Sequence, residues 1–328
     1  MKRKRIAIVA TGGTIAGAGE VGRSLEYRAG EISVSEIIES IPNINALAEL
    51  ECHQLFSLDS NEMDPDKWLL LARTINDLLD RDDIDGCVVT HGTDTLDETS
   101  YFLNLTISSD KPVVLTGAMR PATATSADGP FNLYQSVALA SSAQAAGKGV
   151  MALFSSTIYS GRDIEKINNF RVDAFNHKDF GCLGFMQDDD VYFYSRVYRK
   201  HTFESIFSEQ LPDKLPGVAV AYFCAGADPD ILYHLSERNE GIVIAGTGSG
   251  NYSEAWLSAI NELSSKGIVF VRSSRVNMGI VFDDEIFDPK HLCIASNTLS
   301  AQKARVLLML CLSRTKDLVE IKRIFEEY

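Results

Sequence analysis

The stretch that most constrains the fold is residues 6–16, where a short apolar run leads into Thr11-Gly12-Gly13-Thr14. A run of this length, rich in β-branched residues, is typical of a strand that is buried on both faces of a sheet. The paired glycines allow a sharp turn because they carry no Cβ atom. The sequence therefore predicts a strand of an α/β sheet whose carboxyl end, where such sheets bind ligands, presents two threonine hydroxyls.

A second stretch repeats this arrangement. Residues 86–95 read GCVVTHGTDT, a buried strand followed by a glycine turn, hydroxyls and the carboxylate of Asp94. Either turn alone could be only a tight connection, because a motif needs structural context. No Gly-Lys-Ser/Thr follows the first pair of glycines, which argues against a Walker-type phosphate site. Two such turns in one chain favour a catalytic site with a hydroxyl nucleophile.

Predicted strands and helices alternate along most of the chain at the spacing of βαβ units. This alternation predicts an α/β fold in which a larger first domain, residues 1–192, contains a mostly parallel, flavodoxin-like sheet flanked by helices. Residues 155–190 show no clear pattern. Residues 193–216 are predicted as a linker, and residues 217–328 as a smaller α/β domain.

The composition excludes several classes of protein. With 45% hydrophobic and 23% charged residues and no apolar run of about 18 residues, the chain is not expected to be a membrane protein. The net charge of −14 disfavours nucleic acid as a partner. The apolar run after the basic residues 2–5 is too short for a signal peptide. The expected location is therefore the cytoplasm, or the periplasm if a signal peptide has been removed.

The six cysteines are scattered singly, without a C-x-x-C pair or a histidine at metal-ligand spacing. This pattern predicts buried free thiols and neither a zinc site nor redox chemistry. A glycine-rich turn at residues 246–250, between an apolar strand and a helix, leaves nucleotide binding as an alternative, although the Rossmann spacing of glycines is absent.

Five segments, ATGGTIA, VVTHGTDT, GAMRP, SADGPFNL and QKARVLLML, together resemble bacterial L-asparaginases, more closely the type II branch. The resemblance extends from end to end of the chain. It implies hydrolysis of the side-chain amide of L-asparagine to L-aspartate and ammonia, through a threonine nucleophile and an acyl-enzyme, without metal or organic cofactor. A glutaminase-asparaginase that also accepts L-glutamine is the alternative.

The resemblance implies catalytic roles for a set of six residues. A hydroxyl attacks a carbonyl efficiently only if a neighbour takes its proton and donors meet the oxyanion. In this set Thr14 would be the nucleophile and Tyr27 would belong to a lid, predicted as a mobile loop over residues 15–30 that cannot pack in a core. On residue type alone, Lys166 would be a solvated surface lysine and Glu285 one more exposed acid. The six residues are Thr14, Tyr27, Thr93, Asp94, Lys166 and Glu285.

The resemblance also implies a substrate-binding set. A free amino acid carries an ammonium group that pairs with carboxylates and a carboxylate group that pairs with hydroxyl and N–H donors. A neighbouring subunit is expected to contribute Asn251 and Glu285, so the resemblance implies a homotetramer built as a dimer of dimers. The binding residues are Ser60, Asn61, Gly92, Thr93, Asp94, Ala118 and Asn251.

The chain departs from the family pattern at several positions. Asn61 stands where a Gln or Glu is usual, Ser249 replaces an asparagine, and Glu165-Lys166-Ile167 replaces Thr-Lys-Thr. The cysteine pair that forms a disulfide in some exported members has no counterpart.

Overall fold

The computed structural model describes residues 3–23, 27–28, 30–286 and 288–328. The chain divides into two compact units, Met1–Leu211 and Pro212–Tyr328. The boundary between them falls within residues 193–216, the segment predicted as a linker. That linker and the domain limits predicted from the sequence stay predictions.

The first unit combines strands and helices in alternation. Its strands are β1 (Arg5–Gly12), β2 (Ala18–Gly19), β3 (Tyr27–Arg28), β4 (Glu49–Leu58), β5 (Gly86–Thr90), β6 (Val113–Thr116), β7 (Val150–Phe154), β8 (Thr157–Ser160), β9 (Glu165–Lys166), β10 (Phe175–Asn176), β11 (Gly184–Gln187) and β12 (Asp190–Phe193). Its helices are α1 (Val34–Glu39), α2 (Ile44–Leu47), α3 (Pro65–Leu79), α4 (Leu96–Thr106) and α5 (Gly129–Ser141).

The main sheet of this unit has the strand order β12-β11-β8-β7-β6-β5-β1-β4 among the described residues. Strands β4, β1, β5, β6 and β7 pair in parallel. In chain order these five give the sequence 2-1-3-4-5 of flavodoxin-like sheets, which confirms the predicted fold class. Strands β8, β11 and β12 extend the sheet beyond β7, each pairing antiparallel with its neighbour, an edge that the sequence did not predict.

The core of the first unit follows from the predicted patterns. Strands β1 and β5 are buried along nearly their whole length, as expected for strands covered on both faces. One face of α3 is apolar and buried, and the Asp64 side chain caps this helix by accepting a hydrogen bond from the backbone N–H of Lys67 at 2.9 Å.

The prediction for residues 15–30 is wrong at its start. Ile15 lies in a single 3-10 turn, Thr14–Ala16, and is only 1% exposed within the core of the unit. It fits because Gly129 leaves room for it: a Cβ atom there would lie 2.8 Å from the Cγ1 atom of Ile15. The backbone of Tyr27 belongs to β3, which pairs with β2. The side chain of Tyr27 lies outside the described residues, as does Leu25, and the lid stays a prediction.

The second unit is a smaller α/β layer structure. Its strands, β13 (Val218–Tyr222), β14 (Gly241–Gly246), β15 (Val269–Ser274) and β16 (Cys293–Ala295), form a parallel sheet in this order. Its helices are α6 (Asp230–Ser236), α7 (Glu254–Ser265), α8 (Ala301–Leu312) and α9 (Leu318–Glu327). Trp256 on α7 is buried in a core cluster with residues of β14.

Not all cysteines are buried, contrary to the prediction. Cys87 and Cys311 are buried, whereas Cys52 and Cys224 are exposed. Burial raises the pKa of the Cys87 thiol to about 12, so this thiol is inert at neutral pH. In the part of the chain that the structure describes, no helix combines the length and the apolar character needed to cross a membrane.

Candidate active site

The candidate residues of the first unit follow the carboxyl ends of neighbouring strands. Thr14 follows β1 and Thr93 follows β5, the two strands that flank the switch point of the 2-1-3-4-5 order. Ser60 follows β4, and Ala118 follows β6. In open α/β sheets ligands bind in the crevice at this point, so the topology alone collects these residues at one edge.

Two glycines bring the strand ends into backbone contact. A Cβ atom on Gly13 would lie 2.4 Å from the Cα atom of Gly92, so no other residue fits there without movement. Gly13 also has φ 81° and ψ −177°, a conformation almost restricted to glycine. Its N–H donates to the carbonyl of Leu58 at 2.9 Å. The loops after β1, β4 and β5 therefore pack directly against one another.

Ser60 is held beside the loop after β5. The Thr95 hydroxyl donates to the carbonyl oxygen of Ser60 at 2.8 Å. A Cβ atom on Gly92 would lie 2.8 Å from the Oγ atom of Ser60, so the serine hydroxyl lies against the glycine. Ser60 is buried, whereas the neighbouring Asn61 is exposed. This contact brings Ser60, Gly92 and the start of the HGTDT segment together.

Lys166, on β9, contacts the loop after β5, although the two are distant in the sequence. Its ammonium donates to the Oγ1 atom of Thr93 at 2.8 Å and to the Oδ1 atom of Asp94 at 2.5 Å. The Lys166 side chain is 15% exposed and that of Asp94 is 54% exposed. Lys166 is thus not the solvated surface lysine that its residue type alone suggests. A hydroxyl, an ammonium and a carboxylate are in contact, the kind of cluster that can transfer protons.

Thr14 is buried, at 8% exposure, in the 3-10 turn that follows Gly13. Because Gly13 contacts Gly92, the Thr14 turn lies next to the loop that carries Thr93. The arrangement therefore places a second buried hydroxyl near the Thr93–Lys166–Asp94 cluster.

The SADGPFNL segment explains how Ala118 is held. The carboxylate of Asp128 accepts hydrogen bonds from the N–H groups of Met119 and Arg120, both at 2.9 Å. The side-chain amide of Asn132 donates to the carbonyl of Gly117 at 3.0 Å. The beginning of α5 thus fixes the turn after β6, and Ala118 is fully buried within it.

His91 is a residue of the site that the sequence motifs do not predict. The carbonyl of Gly92 can only accept, so the Nδ1 atom of His91, 2.7 Å away, carries the ring proton and donates to it. The Nε2 atom of the neutral ring then accepts from the Thr99 hydroxyl at 3.0 Å, and that hydroxyl accepts from the Trp68 indole at 2.9 Å. Full burial lowers the pKa of His91 to about 4. A neutral histidine therefore holds the loop that carries Thr93, and only its position inside HGTDT could have pointed to it.

Asn251 and Glu285 lie in the second unit and are exposed. The buried guanidinium of Arg272 connects their two segments: it donates to the carbonyl of Ser249 and, at 2.5 Å, to the carbonyl of Phe282. The turn at residues 246–250 is closed by two backbone hydrogen bonds between Thr247 and Asn251, at 2.9 and 2.7 Å. The N–H groups of these two residues are therefore occupied, which weakens the nucleotide-binding alternative. Among the described residues no group of three His, Cys, Asp or Glu side chains could hold a metal ion.

Two family models cover most of the chain. The model "Asparaginase, N-terminal" matches residues 5–199, and "Glutaminase/Asparaginase C-terminal domain" matches residues 217–325. The chain belongs to the asparaginase family. This family member is accordingly an amidohydrolase.

Relatives of this asparaginase-family chain match it over nearly its whole length. It is 44% identical to L-asparaginase 2 of Bacillus subtilis, over 98% of this chain and 86% of the relative. It is 38% identical to the glutaminase-asparaginase of Pseudomonas fluorescens, over 100% and 91%. The crystal structure of a probable cytoplasmic L-asparaginase from Campylobacter jejuni superposes with a TM-score of 0.95 at 43% identity, covering 99% of this chain and 100% of that one.

Proposed function

We propose that this protein is an L-asparaginase that hydrolyses the side-chain amide of L-asparagine to L-aspartate and ammonia, with Thr14 as nucleophile. The observation that carries the proposal is the contact of Lys166 with the Thr93 hydroxyl, in a loop that packs on the Thr14 turn through Gly13 and Gly92. Membership of a family of amidohydrolases fits this chemistry.

The reaction proceeds in two halves. The Thr14 oxygen forms a bond to the amide carbon, and the Thr14 proton passes through neighbouring groups to the amide nitrogen. The C–N bond then breaks, ammonia leaves, and an ester remains on Thr14. Water attacks the ester, which releases aspartate and returns the proton to Thr14. Each half needs a group that moves a proton, and the Thr93–Lys166–Asp94 cluster supplies it.

The substrate is held by its α-groups. The carboxylate of Asp94 is half exposed and pairs with the α-ammonium, and the Ser60 hydroxyl donates to the α-carboxylate. Asn61, Gly92 and the carbonyl of Ala118 complete this clamp. Tyr27 is proposed to belong to a lid over this clamp.

The active form is proposed to be a homotetramer, a dimer of dimers, in which a neighbouring subunit supplies Asn251 and Glu285. Both residues are exposed in the second unit, and Arg272 holds both of their segments in place. Such a shared site makes activity depend on assembly.

Ammonia release from L-asparagine by purified wild-type protein and Thr14→Ala tests the nucleophile. The variant should fold normally and lose about 10³-fold or more in kcat, because it removes the attacking atom. Thr106→Val is the matched control: Thr106 is also buried, but its hydroxyl donates to the carbonyl of Phe102 within α4 at 2.7 Å. If Thr14→Ala kept more than about a tenth of wild-type turnover, a barrier change below ~1.4 kcal/mol, Thr14 would not be the nucleophile.

A broader glutaminase-asparaginase activity is the second candidate, favoured by the Pseudomonas fluorescens relative of that name. L-Glutamine is one methylene longer than L-asparagine, and one methylene changes discrimination by about 1–3 kcal/mol. With both α-groups clamped, asparagine should have the higher kcat/KM. Measurement of both substrates on wild type and Asn61→Gln decides whether Asn61 sets this preference; an unchanged ratio would show that it does not.

A further inference from the structure

Lys166 is carried by an unusually short hairpin. Strand β9, Glu165–Lys166, pairs antiparallel with β10, Phe175–Asn176, through two residue pairs. Two residues on each strand provide too few hydrogen bonds to fix a hairpin by themselves. Yet the Lys166 ammonium is held within hydrogen-bonding distance of both Thr93 and Asp94. Other contacts must therefore position this hairpin.

One strand of the hairpin is anchored by aromatic contacts. The ring of Phe175 stacks on that of Phe154 at the end of β7, with 4.2 Å between ring centroids. The Tyr159 hydroxyl donates to the carbonyl of Phe175 at 3.2 Å. These contacts hold β10 against the main sheet, but they do not involve β9, which carries Lys166.

A further anchor, on the side of β9, is a buried ion pair. Glu165 precedes Lys166, so its side chain points to the opposite side of the strand. It meets Lys178, two residues beyond β10: the Nζ atom of Lys178 and the Oε1 atom of Glu165 lie 2.9 Å apart. The two residues are only 3% and 8% exposed. The pair thus ties β9 to the segment that follows β10.

A buried ion pair is a poor way to gain stability. Removing two charges from water costs about as much as their attraction returns, so apolar residues of similar size would serve as well. Loss of one partner, however, leaves an uncompensated buried charge, so each member of the pair requires the other at its position. Its presence next to Lys166 is therefore better explained by the geometry that it imposes than by the stability that it adds.

We propose that Glu165 and Lys178 are positioning residues that hold the Lys166 ammonium against Thr93 and Asp94. The inference rests on the proposed function of the Thr93–Lys166–Asp94 cluster and deepens it. Both side chains are buried, and neither belongs to the proposed α-group clamp. Because proton transfer requires hydrogen-bonding distance, a shift of about 1 Å in Lys166 slows catalysis by up to about 100-fold.

The test is steady-state kinetics of Glu165→Gln, Lys178→Met and the exchanged pair Glu165→Lys with Lys178→Glu. Both single variants should lose about 10- to 100-fold in kcat while KM stays within about twofold, because the α-group clamp is intact. The exchanged pair should recover most of the lost kcat. Glu165→Gln keeps the size of the side chain, so it decides the question if Lys178→Met does not fold.

The same segment provides a matched control. Arg171 and Asp173, in the loop between β9 and β10, form an ion pair at 2.7 Å, but their side chains are largely exposed. Arg171→Met removes an ion pair from this hairpin loop without leaving a buried charge, so its kcat and KM should equal those of the wild type.

Lys166→Met separates failure of this inference from failure of the proposed function. If Lys166→Met keeps wild-type kcat, the proposed proton-transfer cluster is wrong, and the positioning role falls with it. If Lys166→Met is inactive but Glu165→Gln has wild-type kcat, the positioning role alone is wrong. A lowered melting temperature with unchanged kcat in Glu165→Gln would also overturn it, because the pair would then only stabilise the fold.

Discussion

The Nζ atom of Lys166 lies 2.8 Å from the Oγ1 atom of Thr93, although 73 residues separate the two in the chain. The contact joins a short hairpin to the loop at the switch point of the sheet. It gives the Thr93 hydroxyl a fixed donor, so the proton of that hydroxyl can be directed to a third group.

The Lys166–Thr93 contact predicts non-additive kinetics. Lys166→Met and Thr93→Val should each lower kcat about 10²- to 10⁴-fold, the usual contribution of proton transfer. The double variant should be little worse than the poorer single variant, because the two groups act as one unit. Steady-state ammonia release measures all three. Lys148→Met, which removes a lysine over the Phe193 ring, is the control and should stay at wild-type kcat; additive losses would argue against a shared role.

Because His91 is buried and neutral, we expect the folded protein to become less stable as the pH falls. Its pKa is about 4 in the folded protein against an ordinary 6.5, so below pH 6.5 the unfolded chain binds a proton that the folded one does not. The stabilisation from the neutral ring is complete above pH 6.5 and decreases toward pH 4, by about 3 kcal/mol in total. Denaturant unfolding at several pH values should therefore show the difference between wild type and His91→Gln shrinking as the pH falls.

The control for His91 is His234→Gln, since the His234 side chain is 74% exposed. This variant should keep the pH dependence of the wild type. A His91→Gln protein whose stability falls as steeply in acid as that of the wild type would show that His91 is not the group responsible.

We expect Gly13→Ala to lose more stability than backbone strain alone would cost. Gly13→Ala adds a Cβ atom 2.4 Å from the Cα atom of Gly92, and at φ 81° it also strains the backbone. Gly181 has nearly the same conformation, φ 83° and ψ 166°, but a Cβ atom there would meet nothing within 4 Å. Gly181→Ala should therefore cost about 1–3 kcal/mol of stability. Gly13→Ala should cost more, because it forces the loops apart, and should reduce kcat as well.

Thermal unfolding and ammonia release on both glycine variants make this comparison. Equal losses of stability, with normal kcat in Gly13→Ala, would show that the contact between the two loops does not matter for the site.

If the site is shared between subunits, mixing two inactive variants should restore activity. Chains with Thr14→Ala and chains with Glu285→Ala should each be inactive, but hybrids made by subunit exchange contain sites that take Thr14 and Glu285 from intact copies. Activity should return on mixing. Thr14→Ala mixed with Lys166→Met is the control: both residues lie in the first unit, so one chain supplies both and no activity should return. Absence of recovery in the first mixture, after exchange is confirmed by mass, would contradict a shared site.

The sequence predicts those parts of the fold that local pattern determines. The buried strands β1 and β5 are readily recognised from their short apolar runs and the glycine turns that follow them. The antiparallel edge is not, because β8, β11 and β12 have only four residues each and the pairing of β8 with β11 joins segments that are distant in the chain. The burial of Ile15 is not predictable from local pattern either, because it depends on the missing side chain of Gly129, more than a hundred residues away.

The sequence likewise predicts one part of the candidate site and not the other. Strand ends in a flavodoxin-like order place Thr14, Ser60 and Thr93 at one edge without any knowledge of contacts. No spacing in the sequence indicates that Glu165 meets Lys178, since the contact depends on the path of the chain around a hairpin. The neutral state of His91 likewise follows from burial and from two hydrogen-bonding partners, which only the folded structure provides.

The buried tryptophans give this protein an optical probe for each half. The chain has two, Trp68 in the first unit and Trp256 in the second, and both are shielded from water. Trp68 is bonded through Thr99 to His91, so its emission should respond when the loop at the active site loosens. With Trp256→Phe, intrinsic fluorescence reports on the first unit alone, and with Trp68→Phe on the second. The order in which the two halves melt can thus be followed without attaching a dye.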